Sequence, residues 1–366
     1  MKEHIKSLLQ MAHEYGQNSA YVIAGGGNIS YKTSDKLWVK ASGTSMSTLA
    51  ESDLVSLSRE KLDIISKKQY SDVESICEQQ VKEDLNAAII DETGKRPSVE
   101  TSLHNLMNFP FVVHTHPILV NSLMCSKNAQ SLTEQLFPKA LYIEYTNPGY
   151  TLFKKIEERI KQFREANNTE AAIIFLRNHG VFVGTNSQEE VNQIYKDIDK
   201  QLINKLSQDL PLIEEFKFEA QLDVFNNFLA SKGLVSCTRK NTITQLFCSN
   251  AEQFAKVSLP FTPDDIVYCK SSYIYCISTD DLIPAINEFE STKGYLPKVA
   301  IIENEGIIAI EDSEKSAQTV LDIFENMMKV SYLSNNWGGP QFMTPEQISF
   351  IDNWEVENYR RKMAKQ

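Results

Sequence analysis

Residues 111–120 read FVVHTHPILV, an apolar run that ends in two histidines one residue apart. In an extended strand successive side chains alternate faces, so His114 and His116 point to one side and Thr115 to the other. Two of the six histidines in the chain therefore converge on one point. A third lies in AAIIFLRNHGVFVGT, residues 171–185, which reads as two short strands joined at Asn178-His179-Gly180. Gly180 lets the backbone bend and approach closely there. Zinc favours nitrogen ligands, and a catalytic site supplies three protein ligands and leaves a position open. His114, His116 and His179 form such a set, although H-x-H alone is equally compatible with surface or hydrogen-bonded histidines.

An acidic residue shifts the balance. In RPSVETSLH, residues 96–104, Ser98 can cap a helix, which places Glu100 in the first turn. Free backbone N–H groups and the helix dipole favour an anion there, whether this carboxylate or a phosphate. Taken alone, Glu100 could simply complement the dipole. His104 lies four residues on, on the same helical face, and is assigned to support or packing because three other histidines suffice as ligands. GGGNIS (25–30) and KASGTS (40–45) each follow an apparent strand and offer backbone amides to a phosphate. Neither carries the G-x-G-x-x-G or P-loop spacing, and each alone reads as a plain turn.

At 366 residues the chain exceeds the usual single core, so two domains are expected, 1–210 and 211–366, with the boundary near SQDLPLIEE (207–215). The first opens on an amphipathic helix over residues 3–15. Two strand-like stretches, AYVIAGGGNISYK and LWVKASGTSMSTL, then end in tight turns. Helices follow over 75–91, from near Ser98, from Ile118 to about Ser126, over 151–166 and over 187–208, with LYIEY as a strand between. IIFLRNHGVFVGTNSQEE (173–190) is echoed by AIIENEGIIAIEDSEK (300–315) at an offset of 126 residues, pairing Asn178 with Asn304, His179 with Glu305 and Gly180 with Gly306. The echo carries no histidine, so the imidazole chemistry belongs to the first half.

A hydrophobic content of 42% with 23% charged residues excludes extensive disorder. A net charge of −11 gives no electrostatic footprint for nucleic acid and little attraction to anionic membranes. The N-terminus lacks the apolar core of a secretory signal, no run reaches membrane-spanning length, and six dispersed cysteines form no CxxC pair; a cytoplasmic location is expected.

GGGNIS, LWVKASG, PSVETSLH, HTHP, EYTNPGY (144–150) and NHGVFVG occur in an order that resembles the class II aldolase/adducin family. The GGGN and VKxSG stretches look most like the aldolase half of bifunctional rhamnulose-1-phosphate aldolase/dehydrogenase proteins, and NWGGPQFMTPEQISFIDNWEVENYRRKM (336–363) is similar to the end of that half. On this reading no dehydrogenase part is expected. The resemblance implies an α/β fold of the α+β type, with a mixed, mainly antiparallel central sheet flanked by helices, plus a second, smaller α/β domain. It also implies a divalent metal, most often zinc, on His114, His116 and His179. Asn28, Ser42, Gly43 and Ser98 map onto the family's phosphate pocket, Glu100 onto its acid and Tyr145 onto a tyrosine that helps in proton transfer. The implied reaction is cleavage of a ketose 1-phosphate, rhamnulose 1-phosphate-like, to dihydroxyacetone phosphate and an aldehyde through a metal-stabilised enediolate. The partner is a small sugar phosphate and the assembly a homo-oligomer. Simpler sugar-phosphate aldolases of the family carry two serines before the acid, whereas this chain has Ser98-Val99. The same site could instead serve an epimerase or decarboxylase of a sugar acid phosphate. A non-enzymatic module like the adducin heads is the third reading, and those heads have lost the histidines that this chain keeps.

Overall fold

The computed structural model describes residues 2–91 and 94–353. The chain divides into two compact units, Met1–Met124 with Asn128–Asn204, and Cys125–Lys127 with Lys205–Gln366. No helix of the described residues is long and apolar enough to cross a membrane.

The first unit runs α1 (Lys2–Gly16), β1 (Asn28–Lys32), β2 (Lys36–Lys40), β3 (Leu54–Ser58), α2 (Arg59–Lys67), α3 (Glu74–Ala87), α4 (Thr101–Leu106), β4 (Phe111–Thr115), α5 (Ile118–Met124), α6 (Ala129–Leu136), β5 (Leu141–Ile143), α7 (Tyr150–Asn167), β6 (Ile173–Leu176), β7 (Gly180–Thr185) and α8 (Gln188–Ile203). The strands form one seven-stranded sheet in the order β3-β2-β1-β4-β7-β6-β5, antiparallel except for the β5–β6 pair. The expected mixed, mainly antiparallel architecture is therefore present. Leu37, Val39, Val55 and Leu57 of the sheet pack against Leu62 and Ile65 of α2, Val81 and Leu85 of α3, and Ile156 and Ile160 of α7. Each such burial contributes about 1.5–3 kcal/mol, so these contacts fix which sheet face is covered by helices.

The sequence placed the glycine turn at the end of a strand; the structure places it at the start of one. Ala24 (φ 53°) and Gly27 (φ 69°) hold left-handed geometry, which ends any extended run through residues 20–24. A β-carbon on Gly27 would meet the His114 carbonyl oxygen at 3.0 Å, so the turn is pressed against β4. Asn28 then enters β1 directly opposite His114. Other differences concern helix ends. α3 stops at Ala87, because Ile89 leaves it to bridge Leu57 and the Ile90 N–H donates to the Ser56 carbonyl. α8 stops at Ile203 rather than 208, and α6 was not expected.

The second unit runs α9 (Asp223–Ser231), β8 (Val235–Arg239), α10 (Thr242–Cys248), α11 (Ala251–Phe254), α12 (Pro263–Cys269), β9 (Ile274–Cys276), α13 (Leu282–Lys293), β10 (Val299–Ile302), β11 (Gly306–Glu311), α14 (Glu314–Ser334) and α15 (Pro345–Asn353). Its four strands lie in the order β8-β11-β10-β9, with β9 and β10 parallel. Phe225 and Leu229 of α9 and Ile286 and Phe289 of α13 pack with Ile274, Ala300, Ile302, Ile308 and Ile310 of the sheet. Residues 354–363 of the C-terminal stretch quoted above lie outside the described residues.

One contact constrains the first sheet more than any other. A β-carbon on Gly180 would lie 2.4 Å from the Thr115 carbonyl oxygen and 2.8 Å from Cδ2 of His116. Gly180→Ala is therefore expected to cost about 1–3 kcal/mol of stability, as overpacking against fixed backbone does. Urea unfolding of the variant measures this, and an unchanged midpoint would show that β4 and β7 can separate freely.

Candidate metal centre

The two-residue period of β4 does what the sequence promised. Thr115 faces one side of the sheet, where its hydroxyl donates to the Tyr195 hydroxyl on α8 at 2.8 Å. His114 and His116 face the other, with Nε2 atoms 2.9 Å apart. His114 is 1% exposed and its ring stacks on Phe182 at 4.0 Å. Its Nδ1 lies 3.0 Å from the Val181 carbonyl oxygen. A carbonyl only accepts, so Nδ1 carries the proton and the Nε2 lone pair is left for a ligand. Val181 sits opposite Thr115 in the β4–β7 ladder, so strand register and tautomer share one cause.

His179 arrives from the β6–β7 turn. Asn178 takes left-handed geometry (φ 54°), its N–H reaches the Met124 carbonyl at 3.3 Å, and the His179 N–H closes on Leu176 at 3.3 Å. The three rings form a triangle with centroids 4.7, 5.0 and 5.1 Å apart. One ligand nitrogen from each lies within 4.8 Å of the others. Three converging imidazoles, one with its second nitrogen fixed by a carbonyl, fit a first-row divalent cation; such a donor set suits zinc, copper, iron and nickel alike.

Glu100 stands beside them. Its Oε1 is 3.2 Å from Nε2 of His114 and 3.6 Å from Nε2 of His179, and its Oε2 accepts from Nδ2 of Asn28 at 3.2 Å. Burial pushes this carboxyl up, but the adjacent imidazole of His114, with His179 and His104 behind, outweighs it and holds the group well below the usual carboxylate range. The helix start differs from the sequence reading. Ser98 caps a turn, its Oγ accepting from the Glu100 N–H at 3.3 Å, and Thr101 N–H bonds back to the Ser98 carbonyl. Helical bonding begins only with His104 N–H on the Glu100 carbonyl, so Glu100 occupies the N-cap position of α4 rather than its first turn.

His104 is fully buried, with Nδ1 2.7 Å from the Ser30 hydroxyl, its ring edge-on to Phe182 at 5.4 Å, and Nε2 without a hydrogen-bond partner. Desolvation brings its pKa down to about 3, against the raising influence of Glu100. Lys32, His114 and Lys40 add to the lowering, so the ring is neutral at neutral pH.

The other sequence candidates fall on adjoining segments. Ala41 bridges Pro97, and the Ser42 N–H donates to the Arg96 carbonyl at 2.9 Å, which draws the Ser42–Gly43 turn beside the Ser98 segment. Gly43 has left-handed geometry (φ 81°). Lys40, quoted in the sequence but given no role, is 3% exposed and donates from Nζ to the Thr44 carbonyl at 2.6 Å. A lysine at a buried strand position one residue before a small-residue turn was the available signal. Tyr145 has a buried hydroxyl with no hydrogen-bond partner among the described residues, and burial pushes its pKa up.

Residues 6–196 match the family described as the Class II Aldolase and Adducin N-terminal domain. Over 203 residues the chain is 29% identical to a Bacillus subtilis (strain 168) protein named uncharacterized oxidoreductase YuxG, covering 52% of this chain and 27% of that one. It thus spans about a quarter of this relative's length. Among solved structures, the N-terminal class II aldolase domain of a conserved Thermoplasma acidophilum protein aligns with a TM-score of 0.46 at 21% identity, over 54% of this chain and 91% of that one. An L-fuculose-1-phosphate aldolase from Thermus thermophilus aligns with a TM-score of 0.35 at 15% identity, over 54% and 89%.

The neutral, buried His104 makes a pH prediction. Its folded pKa lies below its unfolded value near 6.5, so its contribution to stability is present above about pH 6.5 and is lost as pH falls towards 3. Acidification through that window should cost wild type a few kcal/mol more than His104→Asn. Urea midpoints of both proteins at intervals from pH 7 to 4 test this, and parallel curves would reject it.

Proposed function

We propose, from the premise that this chain belongs to the class II aldolase and adducin N-terminal domain family, that it is a metal-dependent carbon–carbon lyase. Its proposed substrate is a ketose 1-phosphate of the rhamnulose 1-phosphate type, cleaved to dihydroxyacetone phosphate and an aldehyde. The observation that carries the reading is the Glu100 carboxylate, 3.2 and 3.6 Å from the Nε2 atoms of His114 and His179. A carboxylate aimed at three converging imidazoles is what an adducin-like interaction module has no use for.

A divalent cation, zinc in this proposal, held by His114, His116 and His179 would supply Lewis-acid stabilisation of the negative charge that develops on the carbonyl fragment, a contribution of several kcal/mol. The rest is done by the chain itself. Glu100 takes and returns the proton at the carbon beside the carbonyl. The Asn28 amide holds one carboxylate oxygen, so the other stays directed at the imidazoles. The Val181 carbonyl keeps His114 in the tautomer that offers Nε2 inward. Ser42, Gly43 and Ser98, drawn together by the Ala41–Pro97 bridge, bind the phosphate, and the remote binding energy fixes the reacting carbons in place. Lys40, buried at the end of β2 just before that turn, adds positive charge to that end. Tyr145, with its buried hydroxyl, relays the proton that leaves the substrate hydroxyl as that carbon becomes the aldehyde, and returns it to the aldehyde oxygen in the reverse reaction.

Three experiments test this. Glu100→Gln should lower kcat for ketose 1-phosphate cleavage about 10²–10⁴-fold while metal content stays unchanged, since an amide cannot shuttle the proton. Product analysis on the wild type should give two three-carbon fragments; a substrate returned with all its carbons, or one that loses carbon dioxide, would assign the site to an epimerase or a decarboxylase. His114→Ala should lose metal and turnover together, and full activity in that variant would remove the proposed mechanism.

A further inference from the structure

The weak echo in the sequence is a close structural match. In the first unit Ile173, Ile174, Phe175 and Leu176 pair with Val183, Phe182, Val181 and Gly180; in the second Val299, Ala300, Ile301 and Ile302 pair with Ala309, Ile308, Ile307 and Gly306. The neighbouring strands follow the same register. β4 pairs Phe111 with Thr185 and Thr115 with Val181, as β8 pairs Val235 with Glu311 and Arg239 with Ile307. β5 lies parallel to β6 from Leu141–Ile174, as β9 lies parallel to β10 from Ile274–Ala300.

The details around the hairpin repeat as well. Asn178 and Asn304 both hold left-handed geometry, and their N–H groups donate to Met124 and Cys248, the last residues of α5 and α10. A β-carbon on Gly306 would lie 2.4 Å from the Arg239 carbonyl oxygen, as one on Gly180 would from Thr115. Ser187 and Ser313 cap α8 and α14 through the N–H groups of Glu190 and Ser316.

This register sets Thr238, Lys240 and Glu305 at the positions of His114, His116 and His179. Lys240 Nζ lies 3.2 Å from Oε2 of Glu305, and both side chains are largely enclosed, at 11% and 14% exposure. Oε1 of Glu305 accepts from the N–H groups of Glu219 and Ala220, so residues 219–220 lie over the position from which His179 works in the first unit. Among the described residues β1 to β3 have no counterpart, so nothing corresponds to Asn28; α9 precedes β8 as α4 precedes β4, and Thr238 is exposed where His114 is buried.

We propose that the second unit is a duplicate of the metal-bearing one in which the Lys240–Glu305 ion pair fills the cation position. An ammonium supplied by the chain stands where the first unit holds an exogenous cation, and the 219–220 segment closes the site. The inference rests on His116 and His179 being metal ligands and is independent of which reaction the first unit performs.

The test reads metal content rather than activity. In a His114→Ala background, expected to retain no tight metal, the triple substitution Thr238→His, Lys240→His and Glu305→His should create a new three-imidazole site and raise cobalt(II) binding from none to one equivalent per chain, with visible d–d absorption. A folded triple variant that binds no cobalt overturns the proposal. If that variant fails to fold, a thermal-denaturation cycle on Lys240→Met, Glu305→Gln and their combination decides. Each single substitution should lower Tm and the double should recover most of the loss; simple additivity overturns the proposal. Lyase activity of the otherwise wild-type protein carrying Glu305→Gln should stay unchanged, which separates this result from any failure of the lyase assignment.

Discussion

The first unit depends on the close approach of two backbones. The β6–β7 hairpin turns on a left-handed Asn178, and the next turn residue but one, Gly180, comes down against the Thr115 carbonyl with no room for a side chain. That approach sets the β4–β7 register, and the register supplies the rest. It places the Val181 carbonyl under Nδ1 of His114, stacks Phe182 on the same ring, and carries His179 to the face that His114 and His116 already share. A chemistry built from three side chains thus reduces to one packing constraint on main-chain atoms.

Electrostatics around the site pull in opposing directions. Glu100 lies against imidazoles that favour its ionised form, while His104, one helical turn away, is kept neutral by burial and by the nearby Lys32 and Lys40. Lys32 is itself buried, donating to the Met107 and Phe109 carbonyls, and desolvation lowers its pKa well below the ordinary lysine value. The β1–α4 side of the sheet is therefore lined with buried polar groups that pair with one another or with main-chain carbonyls. Ser102 Oγ and His104 Nε2 are exceptions, with no partner among the described residues.

What the sequence disclosed follows physical periodicity. The two-residue repeat of a strand was enough to put His114 and His116 on one face, and the NHG turn was enough to bring in His179, because both are local rules. Glu100 was legible for the same reason, although its place at the N-cap rather than in the first turn was not, since that depends on a Ser98 turn held by Pro97 pairing with Ala41. Long-range pairing also decided the features that were misread. GGGN lies before its strand because Gly27 abuts β4, and α3 ends early because Ile89 bridges β3. Lys40 went unassigned because burial at a strand end is a tertiary property. The faint echo at 300–315 hid a matching register because glutamate stands there at the position of His179.

The candidate ligands stand on segments far apart along the chain, His116 just past β4 and His179 beyond α5, α6, β5, α7 and β6. A cation gripping both would close that long excursion as a cross-link does, lowering the entropy of the unfolded chain only for as long as it stays bound. Such a fastener is reversible: its strength would be set by the free ion concentration around the protein, and a chelator would loosen the hinge between β4 and the β6–β7 turn without breaking a covalent bond.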